Sequence, residues 1–434
     1  MTVAVVPGVT AGAADRSDAA VEVLREGYLR VLDALVDGSV RAGDLASWPT
    51  WELGPDAQPE RVVAGRPTMY DGDAGIALAV AELAATTRRD DARGLAVAGI
   101  RNARRRIGDD PGLLSGRAGV ALAERRIAML AGRPATLSGD DLGGGLNPWA
   151  GDLTSGAAGA LLALTDVDAA RSAVELIGRL RQPEPIGSSW PDLLEAEVDD
   201  RRPLCGLAHG ASGIAWALAE TAYRHPELAD EALTLADEAL AWESAWFDPV
   251  RGGWPDLRPS DAADDREPGY PDLWCHGSAG IGMVRLRLLQ LARRGLVTPW
   301  PVETIQAEAE AAVSACGRGL ARSVARVQAG GWSQTPAGMT LCHGLAGPLE
   351  VLLTAYQTWH ARSHLDAARE LAAALVAELP DDPWQWPSGL PARRTGSADG
   401  VAGLFLGMAG TAVTLARLVH PDTGPASPAL LALG

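Results

Sequence analysis

The chain of 434 residues contains no lysine; its 38 basic residues are all arginine. That absence excludes lysine Schiff-base chemistry, a lysine-anchored pyridoxal group and a P-loop lysine. Cysteine is scarce too. Cys205, Cys275, Cys316 and Cys342 are the only four, too few for a disulfide scaffold of this length. Aromatic residues make up 5%, and no uncharged apolar run reaches the length of a membrane span. Positive charge is in deficit: the net charge of −17 argues against a nucleic-acid partner, which needs clustered cations. The stretch before Ser17 has no basic segment ahead of its short Val3–Val9 apolar patch, unlike a secretory signal. Together these absences predict a soluble, cytoplasmic protein with no transmembrane segment.

Glycine, by contrast, is abundant and ordered. Gly-x-x-Gly pairs recur at Gly72/Gly75, Gly116/Gly119, Gly156/Gly159, Gly210/Gly213, Gly277/Gly280, Gly344/Gly347 and Gly407/Gly410. Recurrence of this kind signals structural repeats. The residues after each pair have helical period: Leu349, Leu352, Leu353 and Tyr356 share one face, as do Ile214, Ala217, Leu218 and Ala222. Pro348 suits the first turn of a helix, where no N–H bond is lost. Acidic and arginine-rich helical stretches lie between, at Leu228–Trp246, Thr304–Val324 and His364–Leu379, as an outer, partly solvated layer requires. The pattern predicts an all-α fold of alternating inner and outer helices. Seven hairpins could close into a ring, though an open solenoid fits the periodicity equally well. Residues 1–17 read as disordered, 18–420 as one helical domain and 421–434 as a Pro-rich tail.

Near-copies Ser189-Trp-Pro-Asp-Leu193 and Gly253-Trp-Pro-Asp-Leu257 punctuate the second half, echoed by Gly269-Tyr-Pro-Asp-Leu-Trp274, Gly330-Gly-Trp332 and Trp384-Gln-Trp-Pro387. They cannot be helix interior. They read either as turns sealing the wall of the fold or as a substrate-facing rim.

The chemistry concentrates in two frames, Trp274-Cys-His-Gly-Ser-Ala-Gly280 and Leu341-Cys-His-Gly-Leu-Ala-Gly347. If Cys275, Cys342 and His343 converge, two thiolates and an imidazole form a borderline-soft set that suits zinc. Three protein ligands leave a tetrahedral position open, as in catalytic zinc sites. His276 and His343 hold equivalent positions, and only one need bind metal. A thiol arriving at such a centre is deprotonated. Gly206-Leu-Ala-His209-Gly210 carries its histidine in the same slot without a cysteine, which points to acid/base work near an ordinary pKa of about 6.5. Asp152, four residues before Gly156, could orient that imidazole or serve as a helix cap. Cys205 and Cys316 read as small buried hydrophobes.

These residues together resemble the LanC-like family of lanthionine cyclases. The likeness covers essentially the whole chain, ending at Leu404-Phe-Leu-Gly407-Met-Ala-Gly410. It implies an α/α toroid of seven inner and seven outer helices with one Zn2+ at its mouth, held by Cys275, Cys342 and His343. It also implies His209 as general acid/base supported by Asp152. The family reaction adds a cysteine thiol of a dehydrated precursor peptide to dehydroalanine or dehydrobutyrine of the same peptide. A separate dehydratase, and an exporter in some systems, are then the expected partners. One departure is plain: some members carry arginine four residues before the first zinc cysteine, where this chain has Pro271.

Three rival readings stand beside it. The same site could add glutathione or protein thiols to dehydroamino acids in proteins. The toroid could be a non-catalytic peptide-binding scaffold with structural zinc. A zinc prenyltransferase barrel is a weaker match, given the duplicated ligand frames and few aromatics.

Overall fold

Each Gly-x-x-Gly pair opens an inner helix, and the second glycine is where neighbouring repeats touch. The computed structural model describes residues 13–53, 59–133, 145–191, 202–258, 267–296, 300–335, 337–388 and 401–430. Seven inner helices follow the pairs: α2 (Asp73–Thr87), α4 (Arg117–Leu130), α5 (Ala157–Ala163), α7 (Ala211–Arg224), α9 (Ser278–Arg293), α11 (Ala346–Trp359) and α13 (Met408–Val419). Outside them stand α1 (Ala13–Asp37), α3 (Asp90–Arg106), α6 (Val167–Leu180), α8 (Ala229–Ser244), α10 (Val302–Gly330) and α12 (Arg362–Val376). The place of a seventh outer helix, between α4 and α5, includes residues 134–144, which lie outside the described residues. Three short two-stranded hairpins and three single-turn 3-10 helices complete the described elements. The fold is an all-α toroid.

Burial separates the two layers. Every residue of α2 from Asp73 to Ala84 is buried, whereas α6 buries only the stripe Ala170, Ala173, Val174, Leu176 and Ile177. A helix covered on all sides needs small residues, and the inner helices are accordingly rich in alanine and glycine.

The ring is closed. A Cβ built on Gly75 would lie 2.0 Å from Met69 O and 2.8 Å from Leu404 Cβ, so the turn that leads into the last inner helix packs on the first helix as neighbouring repeats pack elsewhere. Hydrogen bonds run round the same seam between equivalent residues. Phe405 N–H donates to Tyr70 O (2.9 Å), Tyr70 N–H to Leu114 O (3.0 Å), Leu114 N–H to Thr154 O (2.9 Å), Ala208 N–H to Cys275 O (3.2 Å) and Cys342 N–H to Phe405 O (3.0 Å). Thr154 bridges to Ala208 O through its hydroxyl (3.1 Å), and Cys275 to Cys342 O through its thiol (3.6 Å). The open solenoid is ruled out.

Two boundaries expected from the sequence move. Helix α1 begins at Ala13, inside the segment expected to be disordered, while residues 1–12 lie outside the described residues. The tail after 420 is no appendage. It turns up the bore, where Arg417 Nη1 donates to Pro425 O (2.8 Å), Ala426 N–H to Glu82 (3.3 Å), Ser427 Oγ to Glu350 (3.0 Å) and Trp274 Nε1 to Ala429 O (3.0 Å). Ala429 and Leu430 are buried. The space left beside this plug is ≈ 20 Å³, bordered by Leu78, Glu82, Arg126 and Leu404 among others. Residues 431–434 lie outside the described residues.

The tryptophan turns seal the wall. Trp190 Nε1 donates to Ile177 O (2.8 Å) in α6, and Trp254 Nε1 to Glu243 O (3.1 Å) in α8, so each indole satisfies a carbonyl near the end of an outer helix. Asp192 and Leu193 of the first turn fall outside the described residues.

A buried ion cluster ties three of these helices together. Arg285 of α9, fully buried, donates to Glu308 (2.6 Å) of α10 and Glu243 (3.0 Å) of α8. Burial pushes the Glu243 carboxyl up, while Arg285, itself penalised by burial, is held charged by Glu308 and Glu243. Among the described residues no helix is long and apolar enough to cross a membrane. Arg285→Met leaves two carboxyls without their cation, and denaturant unfolding is expected to show a loss of about 3–5 kcal/mol.

Candidate metal centre

The seam hydrogen bonds decide which side chains meet. Cys275 and Cys342 occupy equivalent places two residues before Gly277 and Gly344, at the N-terminal ends of α9 and α11. Both are buried, and all four cysteines are free. Gly277 adopts φ +115°, and a Cβ there would lie 2.0 Å from Pro271 O, the carbonyl that accepts from Ser278 N–H (3.0 Å). Position 271 therefore belongs to the turn that starts α9, and its backbone does that work.

Cys275 Sγ, Cys342 Sγ and a ring nitrogen of His343 lie within 4.8 Å of one another. His343 presents Nε2, 4.0 Å from Cys342 Sγ. Two soft donors and one imidazole at that separation can hold a metal ion. The thiols differ in proton affinity. A hydrogen bond from Cys342 outweighs burial and holds Cys275 well below its ordinary range, helped by His343 and His276. Burial and the Cys275 charge push Cys342 up. Cys205 and Cys316 are pushed up by burial alone to first order, as inert core thiols are.

His209 stands beside this trio. Its Nδ1 pairs with Asp152 Oδ2 at 2.6 Å, and Asp152 is buried while the imidazole is partly exposed. Asp152 also accepts from Ser155 N–H (3.2 Å), so its cap role and its imidazole contact coexist. The His209 turn is anchored at both ends: Glu243 accepts from Gly206 N–H (2.8 Å) and Ser212 N–H (3.3 Å), and Leu207 N–H donates to Cys275 O (3.0 Å). Gly206 needs its φ of +111°; a Cβ there would lie 2.6 Å from Cys275 O. His276, the alternative ligand, is outside the trio. It stacks on His209 with centroids 6.2 Å apart, and burial depresses its proton affinity.

Two neighbours escaped the sequence reading. Arg258 grips Asp256 (Nη2–Oδ2 2.7 Å), and its positive charge lowers the proton affinity of both His276 and Cys342. Asp256 stays below the ordinary carboxylate range despite burial because Arg258 holds it. The only signal for Arg258 was its place directly after the second Trp-Pro-Asp-Leu turn. Tyr70 sits in the first repeat at the place that Cys275 and Cys342 hold in theirs, stacked on Phe405 (5.6 Å, 14°). Its register to the glycine pair was the available signal. His225, His360, His364 and His420 lie away from the centre, at ends or starts of helices α7, α11, α12 and α13.

The comparison with nisin cyclase agrees with this architecture. Nisin cyclase is 16% identical and matches 85% of this chain and 92% of its own with a TM-score of 0.57. A family 76 glycoside hydrolase from a bovine Bacteroides thetaiotaomicron strain is 11% identical, covering 92% of this chain and 76% of its own at a TM-score of 0.45. No curated protein matches in sequence. The lanthionine synthetase C-like protein family matches residues 64–431, nearly the whole chain, and the protein belongs to that family.

Proposed function

We propose that this protein is a zinc-dependent lanthionine cyclase, joining a cysteine thiol to dehydroalanine or dehydrobutyrine within one dehydrated peptide. The observation that carries the reading is the Cys275–Cys342–His343 trio beside a His209–Asp152 pair. Zinc bound by the trio would supply a Lewis acid that keeps a peptide thiol deprotonated at neutral pH.

The remaining steps belong to the chain's own groups. Addition of the thiolate sulfur to the β-carbon forms one C–S bond and moves the double-bond electrons into the neighbouring carbonyl as an enolate. The α-carbon then needs a proton. Asp152 engages His209 Nδ1, so Nε2 is the nitrogen that delivers it, and the carboxylate stabilises the imidazolium while it is charged. His276, whose proton affinity is depressed by burial, lies nearly parallel to the His209 ring. The chemistry is redox-neutral and needs no nucleotide. The dehydrated peptide comes from a separate dehydratase, and an exporter would take the product.

Purified protein is expected to hold about one zinc per chain. Elemental analysis of Cys275→Ala, Cys342→Ala and His343→Ala should show strongly reduced metal, while His276→Ala keeps it. His209→Ala should retain zinc and lose cyclisation by about 10²–10⁴-fold, followed by mass spectrometry with a thiol-alkylating reagent. A dehydrated peptide with its own cysteine, offered beside glutathione, should give the ring and no intermolecular adduct. Adduct without ring favours thiol addition to damaged proteins instead, and full activity in His209→Ala favours a scaffold.

A further inference from the structure

We propose that Trp274 and the chain segment 425–430 are positioning elements of the metal centre: the segment holds the Trp274 indole and thereby sets Cys275 and Cys342 relative to each other. This rests on the reading of Cys275, Cys342 and His343 as metal ligands. The segment is anchored at one end to three inner helices. Arg417 Nη1 of α13 donates to Pro425 O (2.8 Å), Ser427 Oγ donates to Glu350 of α11 (3.0 Å), and Ala426 N–H donates to Glu82 of α2 (3.3 Å). Both carboxylates are held in turn, Glu350 by Arg417 (3.1 Å) and Glu82 by Arg126 (2.6 Å). From that anchor the chain reaches Ala429, whose carbonyl accepts from Trp274 Nε1 at 3.0 Å, 155 positions away in sequence. Ala429 and Trp274 are each 1% exposed, so water cannot stand in for either partner.

Trp274 reaches both cysteines. It precedes Cys275 in the chain, and the two share one rigid peptide plane. On the far side of that plane, Cys275 O accepts from Leu207 N–H (3.0 Å) and Ala208 N–H (3.2 Å). Cys275 is therefore held from one side by the His209 turn and from the other by the indole. The indole also packs on Phe405, with centroids 4.7 Å apart, and Phe405 O accepts from Cys342 N–H (3.0 Å). A further contact runs to α11, where a Cβ on Gly347 would lie 3.3 Å from Trp274 Cβ. Alanine and glycine on the neighbouring helices give a large ring little to lock against, and the hydrogen bond at its edge supplies the lock. Groups that hold metal ligands in place contribute about 10–100-fold in affinity or activity.

Ala429→Glu puts a charge where a methyl is enclosed, so the segment must leave its seat. Trp274 and both cysteines are untouched, and a negative charge by itself would favour a cation, so weaker binding reports the lost anchor. The full-length variant is expected to keep wild-type helix content by far-UV circular dichroism. It should bind one zinc about 10-fold or more weakly in competition with a chromophoric chelator. With cobalt in place of zinc, its visible ligand-field bands should shift and lose intensity as the sulfurs relax from their set positions. Trp274→Phe, which keeps a ring and removes the N–H, should move the same bands in the same direction. The double variant should bind no more weakly than the weaker single one, because both changes break one linkage. Wild-type affinity and bands in Ala429→Glu overturn the proposal, as do losses that simply add in the double variant. Should Ala429→Glu fail to fold, Trp274→Phe decides, and unmoved bands there overturn the proposal. Wild-type protein that takes up neither metal overturns the centre itself, and this role with it.

Discussion

One hydrogen-bonded seam determines the rest of this molecule. At the N-terminal ends of the inner helices, each repeat donates to the carbonyl of the next, five times through a backbone N–H and at Thr154 and Cys275 through the side chain, and the last returns to the first through Phe405 and Tyr70. Every residue two places before a first glycine is thereby drawn into a single annulus: Tyr70, Leu114, Thr154, Ala208, Cys275, Cys342 and Phe405. Cys275 and Cys342 are 67 positions apart in the chain, yet the thiol of one touches the backbone of the other. The convergence of these side chains is a by-product of ring closure. A side chain becomes part of the centre by occupying the right register, whichever repeat it belongs to.

Around that annulus, buried charge secures what glycine and alanine cannot. The interior wall has pairs between adjacent inner helices, Arg126 with Glu82 (2.6 Å), Arg287 with Glu220 (2.5 Å) and Arg417 with Glu350 (3.1 Å). Small side chains let helices approach but give them little to distinguish one register from another. Paired charges in a dry wall do distinguish it, since a one-turn slip would leave both unpartnered. Glu243 extends this logic to the site. Its carboxylate is shared between Arg285 and the backbone on either side of His209, so the cluster that joins α8, α9 and α10 also holds the imidazole turn.

Much of this could be read from the chain. The glycine pairs announced seven inner helices because close approach requires a residue with no Cβ, and that requirement is local. The duplicated Cys-His-Gly frames announced which cysteines would meet because register alone carries them. Which of His276 and His343 joins the cysteines was open, since both share one register and only the path of the following turn separates them. Ring closure was equally open, because periodicity carries no information about where the last repeat ends up. Residues 421–430 read as a tail for a similar reason. Proline-rich segments have no amphipathic period, and their burial depends on a bore that exists only in three dimensions. Arg258 and Tyr70 were missed because the groups beside them at the centre, His276 and Cys342 for Arg258 and Phe405 for Tyr70, are brought there only by the fold.

The filled bore makes the toroid a cup with a floor. Pro425 to Leu430 run along the inner helices as far as Trp274, the residue before Cys275 in the chain. Among the described residues, the peptide substrate proposed above would meet this segment instead of an open bore, unlike thread passing through a bead. Each segment of such a substrate would then dip into the mouth and leave by the same rim. The order in which several crosslinks form would then reflect which loop of the peptide reaches the basin most readily, with no built-in direction of travel along the chain.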